Sequence, residues 1–153
     1  MIGFGTLGPA SVGMSKSEAL ATGVFVDQTK AAAPVEGCPL PPLAWKKRFK
    51  NVDVLTHYKT GAIVSLGVSG PGPQTAKGIA VGSTLDEVKH AYGSSLIGPS
   101  PAGYGQSGAW AKQGNAWIGF LFNDPPGKLG NLSQVLFIEV TKGAKPELMR
   151  DGC

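Results

Sequence analysis

The sequence predicts one α+β domain in which short helices pack on one face of antiparallel strands. Three observations predict this class: 153 residues of which only 16% are charged, a high content of glycine (23) and proline (12), and two similar helix-start motifs. A chain of this length buries roughly two-thirds of its unfolded surface and needs no metal to fold. Many glycines and prolines with few charges indicate strands joined by turns.

The two helix-start motifs read "VGMSKSEA" and "VGSTLDEV" and lie 69 positions apart. Each contains a capping box, in which Ser15 or Thr84 exchanges hydrogen bonds with a glutamate three residues later. Each helix is expected to end at a glycine, Gly23 or Gly93, because glycine readily adopts the left-handed conformation found there. The motifs therefore predict two related units.

Strand signals follow each helix. "VDVLTHYK" and "AIVSLGV" flank Thr60-Gly61 and predict a hairpin. "AWIGFLFN" and "QVLFIEVT" are strong strands, "GAWAKQ" is a weaker one, and "DPPGKLGNLS" is a loop because adjacent prolines lack ladder donors. On the second helix Leu85, Val88 and Tyr92 share one face. The predicted organisation is a single domain over residues 1–153, with units at about 3–70 and 75–143 and a C-terminal tail at 144–153.

The paired motifs resemble the helix-and-meander unit of β-lactamase-inhibitory protein and of the small lipoprotein of the outer-membrane protein assembly machine. The stretch "TGAIVSLGV...TAKGIAVGSTLDEVKHAYG" looks closer still to a domain of unsettled function in secreted proteins and lipoproteins of bacteria, especially actinobacteria. The resemblance covers about residues 3–143 and implies the fold. It implies no binding residue, because the inhibitor's contact loops have no match in this chain.

The compartment is inferred from the start of the chain and from its cysteines. Met1 is interpreted as an expression methionine on a mature chain whose signal sequence was removed, which predicts a secreted or cell-envelope protein. Cys38 and Cys153 lack metal-site spacing. In an oxidising compartment we expect them to form a disulfide, which stabilises the fold by about 4–5 kcal/mol. The alternative is two free thiols.

No motif of catalysis or of metal binding is present, so we expect neither an enzyme nor a cofactor. His57 and Asp53 lie roughly 13 Å apart on an extended strand, and Asp86 with His90 forms a surface helix pair. A hydrolase using His57 is the least favoured alternative. The net charge of +4 is short of that of a dedicated nucleic-acid binder. We expect no transmembrane segment, because no run of 18 apolar residues occurs.

A partner-binding surface is predicted from the aromatic residues. "GPSPAGYGQSGAW" (98–110) is interpreted as a long loop centred on Tyr104, and a tyrosine among Gly and Ser is typical of binding loops. Strand alternation places Trp117 on the sheet face opposite Phe120, where it is open to a partner if no helix covers it. The alternative for the loop is a plain linker. The candidate partner-binding residues are Tyr104, Trp110, Trp117 and Tyr58.

A second candidate surface is the basic stretch "AWKKRFK". Cations interleaved with aromatics suit an anionic envelope polymer or a lipid headgroup. The alternative is a solvated connector that anchors Trp45 and Phe49 in the core. The leading hypothesis is a secreted or envelope-associated, non-catalytic binding domain for a protein partner. The candidate anion-binding residues are Lys46, Lys47, Arg48 and Lys50.

The predicted disulfide has a direct test. The intact mass of the oxidised protein should be lower by two hydrogen atoms than that of the fully reduced protein, without dimer formation. An unchanged mass after reduction would contradict the pairing of Cys38 with Cys153.

Overall fold

The computed structural model describes residues 1–29 and 41–150, which are mainly antiparallel strands. Two α-helices occur in this part of the chain, α1 (Lys16–Ala21) and α2 (Leu85–Tyr92). This content is consistent with the predicted α+β class. The predicted pair Cys38 and Cys153 lies outside the described residues.

The strands of the described residues form three sheets. Three short strands, β1 (Ile2–Gly3), β2 (Thr6–Leu7) and β3 (Ala10–Ser11), make a small sheet, and β4 (Phe25–Asp27) pairs with β5 (Leu43–Trp45). The main sheet has the order β6-β7-β11-β10-β9-β8, and all its pairs are antiparallel. Its strands are β6 (Val52–Thr56), β7 (Ile63–Val68), β8 (Ile97–Gly103), β9 (Gln106–Gln113), β10 (Ala116–Phe122) and β11 (Val135–Lys142).

Both helices begin with the predicted capping boxes. The Glu18 backbone N–H donates to Ser15 Oγ at 3.1 Å, and the Ser15 N–H donates to Glu18 Oε1 at 3.1 Å. These hydrogen bonds lower the pKa of the Glu18 carboxyl. At α2, Thr84 Oγ1 accepts from the Glu87 N–H at 3.2 Å and the Thr84 N–H donates to Glu87 Oε1 at 3.0 Å. Two otherwise unpaired N–H groups are thus satisfied at each helix start.

The residues just before each helix pair with a strand in the same way. The Gly13 N–H donates to the Ile63 carbonyl at 2.8 Å, and the Ile63 N–H returns a bond to Met14. The Gly82 N–H donates to the Val135 carbonyl at 2.8 Å, and the Val135 N–H returns a bond to Ser83. Gly13 and Gly82 have nearly the same left-handed φ, +97° and +98°. The segment before α1 is therefore hydrogen-bonded to the start of β7, and the segment before α2 is hydrogen-bonded to the start of β11.

The strands confirm most sequence predictions and correct one. The predicted hairpin forms as β6 and β7, and the two strong strands form as β10 and β11. The prediction of a long loop at 98–110 is wrong, because these residues form most of β8 and part of β9. Pro99 and Pro101 fit in β8 because it is an edge strand of the main sheet, where a missing N–H breaks no ladder.

The larger core lies between the helices and one face of the main sheet. Leu85, Val88 and Tyr92 of α2 are buried there, as the spacing predicts, and the Tyr92 ring lies 5.5 Å from that of Phe120. Ala19 of α1 belongs to the same core. Each large apolar side chain buried in this way contributes about 1.5–3 kcal/mol.

The other face of the main sheet is covered by the end of the chain. After a turn at Gly143 (φ +81°), residues 144–150, which we call the strap, run back across this face. Trp110 Nε1 donates to the Pro146 carbonyl at 2.8 Å, and Trp117 Nε1 donates to that of Gly143 at 3.2 Å. Residues 144–150 of the predicted tail are therefore packed against the sheet.

Glycines let the strap approach the sheet closely. A Cβ at Gly119 would lie 2.8 Å from Leu148 Cδ2 and 2.9 Å from Pro146 Cβ, and a Cβ at Gly108 would lie 2.6 Å from Leu148 Cδ1. Such distances are too short for carbon atoms in contact. Any other residue at these positions would force the strap or the side chains beneath it to shift.

We predict that Gly119→Ala lowers the free energy of unfolding by about 1–3 kcal/mol, because the added methyl overpacks the strap. Urea denaturation measures the change. The matched control is Gly127→Ala, where a Cβ meets no atom within 4 Å and the change should stay within about 0.5 kcal/mol. Equal effects of the two substitutions would contradict the close approach of the strap.

Candidate functional site

The strap is held by a network of charged side chains around Arg150. The Arg150 guanidinium binds Asp53 through two hydrogen bonds, Nε to Oδ2 and Nη2 to Oδ1, both 2.9 Å long. Nη1 donates to Glu139 Oε2 at 3.1 Å and Nη2 donates to Ser65 Oγ at 2.8 Å. Ser65 Oγ in turn donates to Glu139 Oε2 at 2.5 Å. The network joins β6, β7 and β11 to the end of the strap.

Glu139 also fixes the backbone of the strap. Its Oε1 accepts a hydrogen bond from the Leu148 N–H at 2.8 Å, and its side chain is 6% exposed. Leu148 is buried with φ +62°, a left-handed conformation that costs a leucine about 1–2 kcal/mol. The hydrogen bond from Leu148 to Glu139 helps to hold this backbone conformation.

The charges of the network keep Arg150 cationic. Burial acts to lower the pKa of Arg150, but the hydrogen bond and charge of Asp53 and the charge of Glu139 outweigh burial and raise this pKa. All five guanidinium N–H groups have a role, because Nη1 also donates to the Met149 carbonyl at 3.2 Å. The guanidinium of Arg150 is thus used to hold the strap and has no N–H left for a ligand.

A cleft of about 340 Å³ lies beside the network on the strap-covered side of the sheet. Its floor is apolar, its polar end is the Asp53–Arg150 pair, and an exposed tyrosine forms part of its lining. The Arg150 guanidinium carbon lies 5.0 Å from the centre of the Phe137 ring, so the polar and apolar parts are in contact. The cleft is lined by residues that include Asp53, Tyr104, Leu121, Phe137, Leu148 and Arg150.

Tyr104 occupies an unusual backbone position at this cleft. Tyr104 (φ +52°) and Gly105 (φ +71°) form the two-residue turn between β8 and β9, and the Tyr104 side chain is 82% exposed. Turns with two positive φ values favour Asn-Gly, because other residues pay a steric cost there. Among the described non-glycine residues with positive φ, Tyr104 and Leu148 both line the cleft.

The other predicted partner-binding aromatics lie away from this opening. Trp110 is 2% exposed and Trp117 is 9% exposed, because the strap covers the face on which they lie, so neither ring is open to a partner. Tyr58 is 86% exposed in the turn after β6, where its ring stacks on His57 at 5.0 Å. Among the predicted aromatics, only Tyr104 lines the cleft.

The predicted basic stretch is a turn between β5 and β6, which we call the cationic turn (residues 46–50). Lys47, Arg48 and Lys50 are exposed in it, and Lys46 is half-buried. Trp45 and Phe49 pack against the larger core, with ring centres 5.7 Å apart, and Trp45 Nε1 donates to the Asp53 carbonyl at 2.9 Å. The stretch therefore anchors Trp45 and Phe49 in the core, as the connector alternative states. Its cations Lys47, Arg48 and Lys50 face the solvent.

His57 is not among the residues that line the cleft. It is exposed in the turn after β6, and its Nδ1 accepts from the backbone N–H groups of Lys59 and Thr60 at 3.1 and 3.3 Å. His90 lies on the exposed side of α2 with Nδ1 3.5 Å from Asp86 Oδ1. Within residues 1–29 and 41–150, no group of three or more His, Cys, Asp or Glu side chains is placed to hold a metal ion.

The network, and with it the cleft, is not predicted from the sequence. Asp53 and Ser65 are far in the chain from Glu139 and Arg150. The four side chains meet only when β6, β7 and β11 pair and the strap folds back over the sheet. One signal was available: Glu139 interrupts the apolar run "VLFIEVT", and a lone carboxylate in a central strand needs a buried partner.

No family model, curated protein or solved structure matches this chain. In the part of the chain that the structure describes, the helices are too short and too polar to cross a bilayer.

We predict that Arg150→Met lowers the free energy of unfolding by about 3 kcal/mol, because Glu139 is left buried without a cation while the aliphatic stem is kept. Urea denaturation measures the loss, and adding Glu139→Gln should recover part of it. The control is Lys16→Met, which breaks the exposed 3.0 Å ion pair with Asp27 and should cost less than about 1 kcal/mol. Equal losses for Arg150 and Lys16 would contradict the role of the network.

Proposed function

We propose that this chain is a non-catalytic binding domain of a secreted or cell-envelope protein, and that the cleft and Tyr104 receive an apolar side chain of a partner protein. The supporting observation is that an exposed aromatic residue occupies a left-handed position beside a cleft with an apolar floor. A residue that departs from the turn preference without stabilising the fold points to a role in binding. The secreted location rests on the resemblance.

We further propose that the domain consists of two related units, each a capped helix followed by strands. The same backbone hydrogen bond joins Gly13 to Ile63 in the first unit and Gly82 to Val135 in the second, which supports this relationship. The hairpins β6-β7 and β10-β11 also have a shift of strand register at corresponding places. One shift lies at Thr56 opposite Ile63, and the other lies at Phe122 opposite Val135. Duplication of one unit would produce both correspondences.

The cleft is favoured over addition of a partner strand to the sheet. β8 forms one edge of the main sheet, and Pro99 and Pro101 deprive that edge of N–H donors. The other edge strand, β6, lies beside β5. A partner therefore has more to gain from side-chain contacts at the cleft than from backbone pairing at an edge.

We predict that Tyr104→Asn separates stability from binding. The substitution creates the Asn-Gly turn that this backbone favours, so the free energy of unfolding should rise by about 0.5–1 kcal/mol. Binding of peptides selected on the wild-type domain from a displayed random library should fall by about tenfold or more, as expected for loss of an aromatic anchor.

The matched control is Tyr58→Asn, which removes an equally exposed tyrosine from a turn outside the cleft and should leave peptide affinity unchanged. Isothermal titration of the selected peptides measures both variants. Selection of no peptide, or of peptides that bind Tyr104→Asn as well as wild type, would overturn the proposed function.

A further inference from the structure

We propose that the partner segment is acidic, with an uncharged apolar anchor for the cleft flanked by Asp or Glu residues that contact the cationic turn. This inference rests on the proposed function and specifies the partner. It joins two surfaces that the sequence presents as alternatives, the Tyr104 turn and residues 46–50.

The strand directions place both surfaces at one end of the main sheet. Successive strands in the order β6-β7-β11-β10-β9 are antiparallel, so β6 and β9 run in the same direction. The cationic turn precedes β6 and the Tyr104 turn precedes β9, so both turns lie at the same end. The cleft extends between them, because its lining includes Asp53 on β6 and Tyr104. Lys50 is followed after two residues by Asp53.

The end of the cleft at Asp53 and Arg150 is unsuited to a carboxylate. Every guanidinium N–H group of Arg150 is already used within the protein, and Asp53 and Glu139 together carry more negative charge than Arg150 balances. An anion in the cleft would meet a carboxylate with no free donor from the guanidinium. The remaining floor, formed by Leu121, Phe137 and Leu148, suits an apolar or aromatic side chain.

Acidic residues of the partner are instead matched by the cationic turn. Lys47, Arg48 and Lys50 are exposed there, and the protein carries a net charge of +4. Charges at the rim of an interface mainly accelerate association and set its dependence on salt. The charge complementarity therefore favours a segment with acidic residues beside its anchor.

The test uses two labelled hexapeptides, one with a central Trp flanked by Asp and Glu, and one with the same Trp flanked by Asn and Gln. At low salt, the acidic peptide should bind the wild-type domain about tenfold tighter than the amide peptide. Lys47→Glu/Lys50→Glu should remove this preference. The control, Lys59→Glu/Lys112→Glu, makes the same change of net charge with exposed lysines at the opposite end of the sheet and should keep the preference.

Each other outcome overturns the inference in a different way. Equal binding of both peptides that still requires Tyr104 would leave the proposed function standing and remove the acidic partner. The acidic peptide could bind the Tyr104→Asn variant as tightly as wild type, with polyglutamate or heparin binding equally well. That result would mean that the cationic turn binds an anionic polymer. If both charge variants lose the preference for the acidic peptide, the preference depends only on net charge and the inference is wrong. Failure of both peptides to bind the wild-type domain would also reject the inference.

Discussion

The structure depends on how the second face of its main sheet is covered. The helices of the described residues lie on the first face, so Trp110, Trp117 and Phe137 on the second face need another cover. The strap provides it, and the hydrogen bonds of Arg150 with Asp53 and Glu139 hold its end to the sheet. One arginine near the end of the described chain therefore joins three strands and completes a core.

The same interaction creates the candidate binding site. Leu148 and Arg150 belong to the strap and also line the cleft, so that the site exists only while the strap is in place. Tyr104 contributes no comparable packing and remains 82% exposed. The network thus accounts for the shape of the cleft, and Tyr104 provides the surface on which the proposed binding function rests.

The sequence predicts elements whose signals are local. Ser15 with Glu18 and Thr84 with Glu87 identify both helix starts because a capping box needs only neighbouring residues. Prediction from the sequence fails where the structure depends on contacts between residues that are distant in the chain. The stretch that contains Pro99 is predicted as a loop, and only the sheet topology places it in an edge strand. The hydrogen-bond partners of Glu139 are Ser65 on β7 and Leu148 and Arg150 in the strap, and no local pattern joins them.

Native-state hydrogen exchange at the Leu148 amide tests the central claim most directly, because this amide donates to Glu139 beneath the strap. If the strap is part of the cooperative fold, the Leu148 amide should exchange with nearly the same free energy of opening as the Ile138 amide in the centre of the sheet. If the Leu148 amide exchanges as fast as an exposed turn amide such as that of Gly114, the strap is not part of the cooperative fold. The cleft would then lack the floor that Leu148 provides.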